Sequence, residues 1–442
     1  MEPTVTEPVA TNSYHSAAEA RREAPPGCPA HADWDPLGEE YLADPYPIAA
    51  ALARTTPVFF DERLGHIVLT RRSDLDAVFT DDATFASTNV QDPIAPLCAE
   101  ATEILAAEDF DPVAVMSNRP EPDHGRIRVH TAAAFSNRRL SLLEPWIRRR
   151  CHELVDSMHA TSGPVEIVAA LAFPLPGETV FRLIGFPPED DDQLKSWCGG
   201  RKLFSWGMPR PDEQVRIAQQ MLDYWRYCRE FVAERRHHPR DDLTSELLAA
   251  HRTDPEALCY REVESVIYGL SFAGHEAVTS LLCNALLCLL GRHTDQGRAP
   301  WEAIVADPSR IPAAVEEVLR FESSQISWRR ITTGPATVGG VAIPARMPLL
   351  LNFASANREP GRFADPDRFD IDRSDARGHI SFGKGVHYCL GAKLARLEAR
   401  VVLEVLAERI PSLALVEDQE LAWSPNITFR GPRELRVGWD PT

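Results

Sequence analysis
Apolar residues recur at three- and four-residue spacing from about residue 136 to 320, so this stretch is predicted to be mainly helical. Pro187-Pro188 and Pro239-Arg240-Asp241 divide it. The longest run predicts one helix from Pro255 to about Leu290, with Val263, Val266, Ile267, Leu270, Leu281, Leu282, Leu286 and Leu289 buried. It would span on the order of 50 Å. Leu390, Leu394, Leu397 and Val401 open another helix that runs to about Ile410. Near the start, Asp44-Pro45-Tyr46-Pro47 introduces a helix through Ile48 to Arg54. Val58-Phe59-Phe60 and Ile67-Val68-Leu69 read as short strands. Residues 331 to 372 mix short apolar runs with Pro and Gly, as small sheets and loops do, and Leu421 to Trp439 reads as a β-hairpin region. Residues 1 to 32 are rich in Pro, Ala, Glu and Ser without apolar periodicity, and are expected to be disordered. The pattern describes a mainly α protein with small β-sheets, a single large fold over 33–442.

Composition narrows the class. The chain has 442 residues, 44% of them hydrophobic, enough for a sizeable core. A net charge of −18 argues against broad nucleic-acid binding. No apolar run reaches membrane-spanning length and the first residues do not read as a signal peptide, so a soluble, cytoplasmic protein is expected. The nine cysteines are scattered without a CxxC pair, which suggests reduced thiols rather than a disulfide framework. Lysine stands only at 195, 202, 384 and 393.

Only Cys389 has a motif around it. It lies in Phe382-Gly383-Lys384-Gly385-Val386-His387-Tyr388-Cys389-Leu390-Gly391, just ahead of a predicted helix. The positive end of the helix dipole and free backbone N–H groups favour a thiolate there. Gly383, Gly385 and Gly391 remove side chains where backbone must approach something large and flat. The middle of the long helix reads Phe272-Ala273-Gly274-His275-Glu276-Ala277-Val278-Thr279. Ala-Gly in a buried helix is costly and suggests close approach of a bulky group, and a buried glutamate needs a partner or a function. Taken alone, the segment also fits small-residue packing with a solvent-facing glutamate.

Phe-Gly-x-Gly-x-His-x-Cys-x-Gly resembles the haem-binding signature of the cytochrome P-450 family, the haem-thiolate monooxygenases, in its soluble bacterial form. The resemblance covers roughly residues 35 to 440. It implies haem b with Cys389 as the thiolate ligand of iron, beside Phe382 and Gly383. The helix segment, Ala273 included, resembles the family's Ala/Gly-Gly-x-Asp/Glu-Thr over the distal haem face, with Gly274 leaving a notch for dioxygen and water, and Glu276 relaying protons. Ala277 departs from this pattern, since a threonine is usual. Thr279 is a poor substitute, turned by about 200° along the helix. A substrate hydroxyl or amide, or an ordered water, would replace the missing donor. Otherwise the chemistry tolerates altered proton delivery, as in radical coupling of aromatic rings, or activity is poor except on one well-fitted substrate.

Further segments match in order. Glu317-Val318-Leu319-Arg320 resembles Glu-x-x-Arg, with Arg368 in the place of the second arginine and Ala356-Asn357-Arg358-Glu359-Pro360 before it. His124, Arg128, Arg330 and His387 are the implied partners of the haem propionates. Counting back from Gly339-Gly340 selects Arg330 over Arg329. Family analogy puts the substrate against Phe85–Pro96, the region near Trp206, Leu270, Gln325, Ile326, Ile427 and Thr428. A medium-sized, partly polar natural product is expected. It would be hydroxylated, epoxidised or demethylated, or alternatively joined by oxidative C–C or C–N coupling. A haem-dependent sensor is the reading from another class. No flavin or iron–sulfur pattern occurs, so electrons are expected from a ferredoxin and its reductase. Lys384, Lys393, Arg396 and Arg400 form either a basic face for that partner or an ordinary solvated helix face. A monomer is expected.

Overall fold
The structure is a computed structural model that describes residues 23–31, 34–161, 163–291 and 296–440. The elements that position the site are α1 (Pro45–Thr55), β1 (Val58–Asp61), β2 (His66–Leu69), α2 (Arg72–Thr80), β3 (Phe85–Ala86), α3 (Asp123–Ala132), α4 (Asn137–His159), α5 (Pro174–Ile184), α6 (Arg201–Trp206), α7 (Pro211–His237), α8 (Tyr260–Ala273), α9 (Glu276–Leu289), α10 (Ile311–Phe321), β4 (Ser327–Thr332), β5 (Pro348–Asn352) and α11 (Ala392–Arg409). Their ends follow local chemistry. Asp44 caps α1 by accepting from Tyr46 N, with Pro45 at the first position, where its missing N–H is not needed. The helix α5 stops at Gly185, whose φ of 103° closes the last turn.

The helices enclose one apolar core, to which α4, α5, α7 to α11 all contribute. A five-stranded sheet flanks it in the order β1-β2-β5-β4-β3. In it β1 and β2 pair antiparallel, and β2 runs parallel to β5 with Ile67 opposite Leu349. Both strands predicted near the start are present, one residue longer each. They are buried along their whole length, so sidedness is lost and continuous apolar runs result.

Three expectations need correction. The long central helix is two helices, α8 and α9, broken at Gly274-His275, and it begins at Tyr260 rather than Pro255. Tyr260–Leu289 is apolar and long enough to cross a membrane, yet 83% of its most apolar window is buried inside the fold, as in a core helix. The C-terminal segment is not a regular hairpin. Arg436–Gly438 pairs with Val165–Glu166 and Ala414–Leu415, while Asn426 and Phe429 form isolated bridges with Gly207 and Gln325. Last, Phe60 N donates to Pro29 O and Ala30 bridges Phe60, so the fold reaches back into the segment expected to be disordered. Residues 1–22 and 32 of that segment lie outside the described residues.

Candidate functional site
Cys389 sits two residues ahead of Gly391, the cap of α11. Its N–H donates to Phe382 O at 2.9 Å, closing the loop on itself. Gly383 and Gly385 hold φ near 70°, a region that other residues enter at a cost. At Gly385 the large neighbour is protein: a Cβ there would lie 2.3 Å from Phe79 O, so glycine lets α2 seat against the loop. Gly391 needs neither excuse, having negative φ and no atom nearer than 3.9 Å. Burial pushes the Cys389 thiol up, against the N–H groups of Gly391 and Ala392 and the charges of Arg128 and Arg396, which pull it down.

The loop is tied down from below. Glu317 and Arg320 form a two-bond pair at 2.8 Å, with no exposed surface on either side chain. The second arginine is Arg373, at 3.2 Å from Glu317, and not Arg368. Arg368 is exposed and offers only its carbonyl, to Arg320 and Arg373. Asn357 links this pair to the loop: its carbonyl accepts from Arg320, its Oδ1 from Ile380 N, and its Nδ2 donates to Ser381 Oγ.

Beside the loop lies a cluster of basic side chains, two histidines and two arginines. The rings of His124 and His387 are 4.2 Å apart. His124 Nδ1 is held by Glu121 at 2.8 Å, leaving its buried Nε2 without a partner. His387 Nε2 meets Asp82 at 2.9 Å and Ser87 at 3.2 Å. Burial, then the charges of Arg330 and His124, pull His387 down to about 4, with Asp82 opposing. Among the described residues neither Arg128 nor Arg330 has a carboxylate within ion-pair distance. Arg128 donates to Tyr388 O at 2.6 Å and buried Arg330 to Arg329 O at 2.9 Å. Burial draws both below the usual arginine range, Arg330 to about 10. A cleft of about 600 Å³ lined by Asp82, Ala86, Glu121 and Thr332 adjoins the cluster. Unpaired cations in low dielectric call for an anion. No group of three or more His, Cys, Asp or Glu among the described residues could hold a metal ion. The unpaired arginines beside Cys389 suit the carboxylates of a haem that this cysteine would hold.

The helix break supplies the other wall. Gly274 and His275 separate α8 from α9, and His275 holds φ −100° and ψ −69°. Its ring is fully buried, 4.2 Å from Phe173, with Nε2 2.7 Å from Phe173 O. Gly177 makes room, since a Cβ there would stand 3.1 Å from the ring. The space beside Gly274 is not a notch: Val180 fills it, 2.7 Å from where a Cβ would be. The uncovered face is carried by Ala273, the one exposed residue of α8, and by half-buried Ala277 one turn on. Glu276, buried at the first position of α9, pairs with Lys202 Nζ of α6 at 2.7 Å. Thr279 bonds the carbonyl of His275 within its own helix at 3.2 Å and does not replace the absent hydroxyl at Ala277.

Four of the segments expected to meet substrate converge. Ala277, Ile326, Ile427 and Ile94 pack in one cluster with Trp206, Phe272, Trp328 and Phe429. Trp206 stacks on Phe272 at 5.9 Å and on Trp328 at 6.0 Å. Thr428 closes the end of the cluster: its carbonyl accepts from Ile326 N and its hydroxyl meets Ser327 Oγ. Gln325 is bridged to Phe429. Leu270 is buried in the main core, one turn before Ala273. Sequence reasoning missed Lys202, Asp82, Glu121 and Phe173. Each meets its partner through the fold, and no spacing signals it except Glu121, three residues before His124.

The expected basic face is largely neutralised. Lys384 pairs with Asp76, Arg396 with Glu316, Arg400 with Glu144 and Glu404, and Lys393 bonds Asn137. Exposed apolar side chains stand nearby, Val386 and Tyr388 in the loop and Val129 beside Arg128.

Known proteins match this arrangement. The family model described as cytochrome P450 matches residues 211–409. The chain is 38% identical to erythromycin C-12 hydroxylase of Saccharopolyspora erythraea, over 86% of this chain and 91% of that protein. It is 34% identical to the cytochrome P450 monooxygenase PikC of Streptomyces venezuelae, over 92% and 94% of the two chains. The solved structure of cytochrome P450 CREJ in complex with (4-ethylphenyl) dihydrogen phosphate superposes with a TM-score of 0.88 at 37% identity, covering 93% of this chain and 100% of that one. With a glycine-bound cysteine loop, unpaired cations beside it and a broken helix across from it, the chain belongs to the cytochrome P450 family and is a haem-thiolate monooxygenase.

Proposed function
We propose that this enzyme hydroxylates, epoxidises or demethylates a medium-sized natural-product-like small molecule, as a cytoplasmic monomer drawing electrons from a ferredoxin and its reductase. The cysteine loop beside cations that lack carboxylates is the observation that carries the reading. Similarity to PikC, erythromycin C-12 hydroxylase and, at 36% identity, the mycinamicin IV hydroxylase/epoxidase of Micromonospora griseorubida supports the substrate class. Bound haem supplies reduction of dioxygen, putting one oxygen atom into substrate and the other into water at the cost of two electrons and two protons.

The chain's own residues bind, orient and deliver protons. Cys389 offers the sulfur, with the N–H groups of Gly391 and Ala392 directed at it. His124, Arg128, Arg330 and His387 hold the haem carboxylates, and Phe382 and Gly383 shape the loop wall. Glu276 carries protons inward, and Lys202, partly exposed while Glu276 is buried, links it to solvent. The aromatic cluster around Trp206 excludes water and orients substrate. Ala273 and Ala277 present methyl groups to the oxygen site. Ala277 has no hydroxyl to donate there, so a substrate hydroxyl or amide or an ordered water takes that part.

Ala277 also favours a second reading, oxidative C–C or C–N coupling of aromatic or peptide-derived substrates. Turnover under labelled dioxygen separates the two. Label in the product supports oxygenation, and loss of two hydrogens without label supports coupling. A reduced carbonyl complex lacking the red-shifted band of sulfur-ligated haem would reject both.

A further inference from the structure
Four buried arginines among the described residues have a carboxylate in reach: Arg72 with Asp76 at 2.9 Å, Arg235 with Asp242 at 2.7 Å, Arg320 with Glu317 at 2.8 Å, and Arg430 with Glu322 at 2.5 Å. Arg329 and Arg330, adjacent on β4, have none. Side chains alternate along a strand, so the two point to opposite faces. Arg330 turns toward Phe79, whose ring it covers at 5.4 Å, and toward Asp82 and His387, where haem carboxylates would satisfy it. Arg329 turns the other way, over the ring of Trp206 at 6.0 Å.

Among the described residues Arg329 forms no ion pair. Arg329 is 1% exposed. One guanidinium nitrogen donates to Val90 O at 2.7 Å and Ser205 O at 3.3 Å, and its Nε has no partner. It feels the charge of Asp92, and burial draws it down to about 10, so it remains a cation at neutral pH. A fork of five donors has been taken out of water for two neutral carbonyls. Val90 belongs to the loop after β3, Ser205 to α6 and Arg329 to β4. Through the ring of Trp206 the guanidinium borders the aromatic cluster that includes Ala277, Ile326 and Ile427.

We propose that Arg329 is a specificity residue of the substrate pocket, and that it selects molecules carrying a carboxylate or phosphate on an apolar or aromatic body. The inference rests on the monooxygenase reading of this site and narrows its substrate class. An anion would exchange the carbonyls of Val90 and Ser205 for a bidentate, charge-assisted contact, while the body lies against Trp206 and its neighbours.

The test is a set of matched probes titrated into the haem-bound enzyme and followed by the Soret shift: decanoate against decanol, and 4-ethylphenyl phosphate against 4-ethylphenol. The anionic member should bind about tenfold or more tightly than its neutral partner in at least one pair. Arg329→Met should bring the ratio near one, and Arg329→Lys should keep part of it. A merely structural arginine, tying Val90 to α6, would weaken both members alike and leave the ratio unmoved. Equal affinities in the native enzyme, or no shift with either anion, would overturn the proposal even if neither variant folds. The carbonyl spectrum of the same samples reports whether the haem-thiolate site is intact, so loss of that site is told apart from loss of anion preference.

Discussion

The cysteine side and the helix-break side of the site are built by different rules. Beneath Cys389 the network that anchors the loop is matched within itself: Glu317 holds Arg320 and Arg373, and Asn357 joins that pair to Ile380 and Ser381. Across from it, aromatic rings dominate, and polar groups are left over. His275 Nδ1 and Arg329 Nε have no partner there, while Glu276 has only Lys202. A saturated hydrogen-bond network fixes one geometry, as a cofactor socket needs. An apolar wall with unsatisfied donors fixes little until a ligand arrives, as substrate selection and proton delivery need.

The comparison breaks most visibly at Glu317. Glu317→Gln leaves Arg320 wholly buried without its carboxylate, which should cost about 3–5 kcal/mol. Urea unfolding of the haem-bound enzyme would show it, with much of the protein recovered without haem. A midpoint within experimental error of the native one would mean that the network does not support the loop. Lys202→Met on the other side should act on turnover. Glu276 then loses its route to solvent, and product formation should fall about tenfold or more, with a larger solvent isotope effect and more peroxide released. Unchanged coupling of electrons to product would remove Lys202 from proton delivery.

What the sequence disclosed follows the same division. The loop, Glu317-Arg320 and Asn357 are legible because local backbone geometry demands those residues at fixed spacing. Gly383 and Gly385 are required by positive φ, and Glu317 and Arg320 share one helix face. Arg373 was missed in favour of Arg368 because the turn around Asp370 decides which arginine points inward, and five residues of irregular chain carry no period. The break at Gly274-His275 was invisible for a related reason. Apolar spacing continues through it, and its anchor, Phe173 O, lies about a hundred residues away in sequence. Strands Val58–Asp61 and His66–Leu69 were found from composition alone, while the C-terminal bridges depend on partners far along the chain.

Ala277 is a smaller and sharper lever. Ala277→Thr restores the hydroxyl that most of the family carries. If substrate supplies the donor, coupling efficiency on the native substrate should change by less than about twofold. A large gain would show that this side of the pocket lacks something the substrate does not provide.

The smallest effect separates the two sides by pH. Burial lowers the His275 imidazole below its ordinary 6.5, so below that pH the unfolded chain binds a proton that the folded one refuses. Stability contributed by a neutral His275 is therefore present above about pH 6.5 and drains as the pH falls. Glu316, on the cysteine side, behaves as a depressed acid. Burial alone would push it up, but hydrogen bonds from His379 and Arg396 hold it at about 2, against 4.5 for an ordinary glutamate. Its contribution is complete above pH 4.5 and is lost only on the way down to 2. Acid should thus loosen the helix break before the cysteine network. With several partners sharing it, Glu316 is worth about 1–2 kcal/mol at neutral pH. In unfolding free energies measured from pH 8 to 3, His275→Gln should flatten the slope near pH 6 and spare the region below 4.5, and Glu316→Gln should do the reverse. If both variants altered the same pH range, the two sides would unfold as one unit, and the contrast between a fixed socket and an adaptable wall would not extend to their energetics.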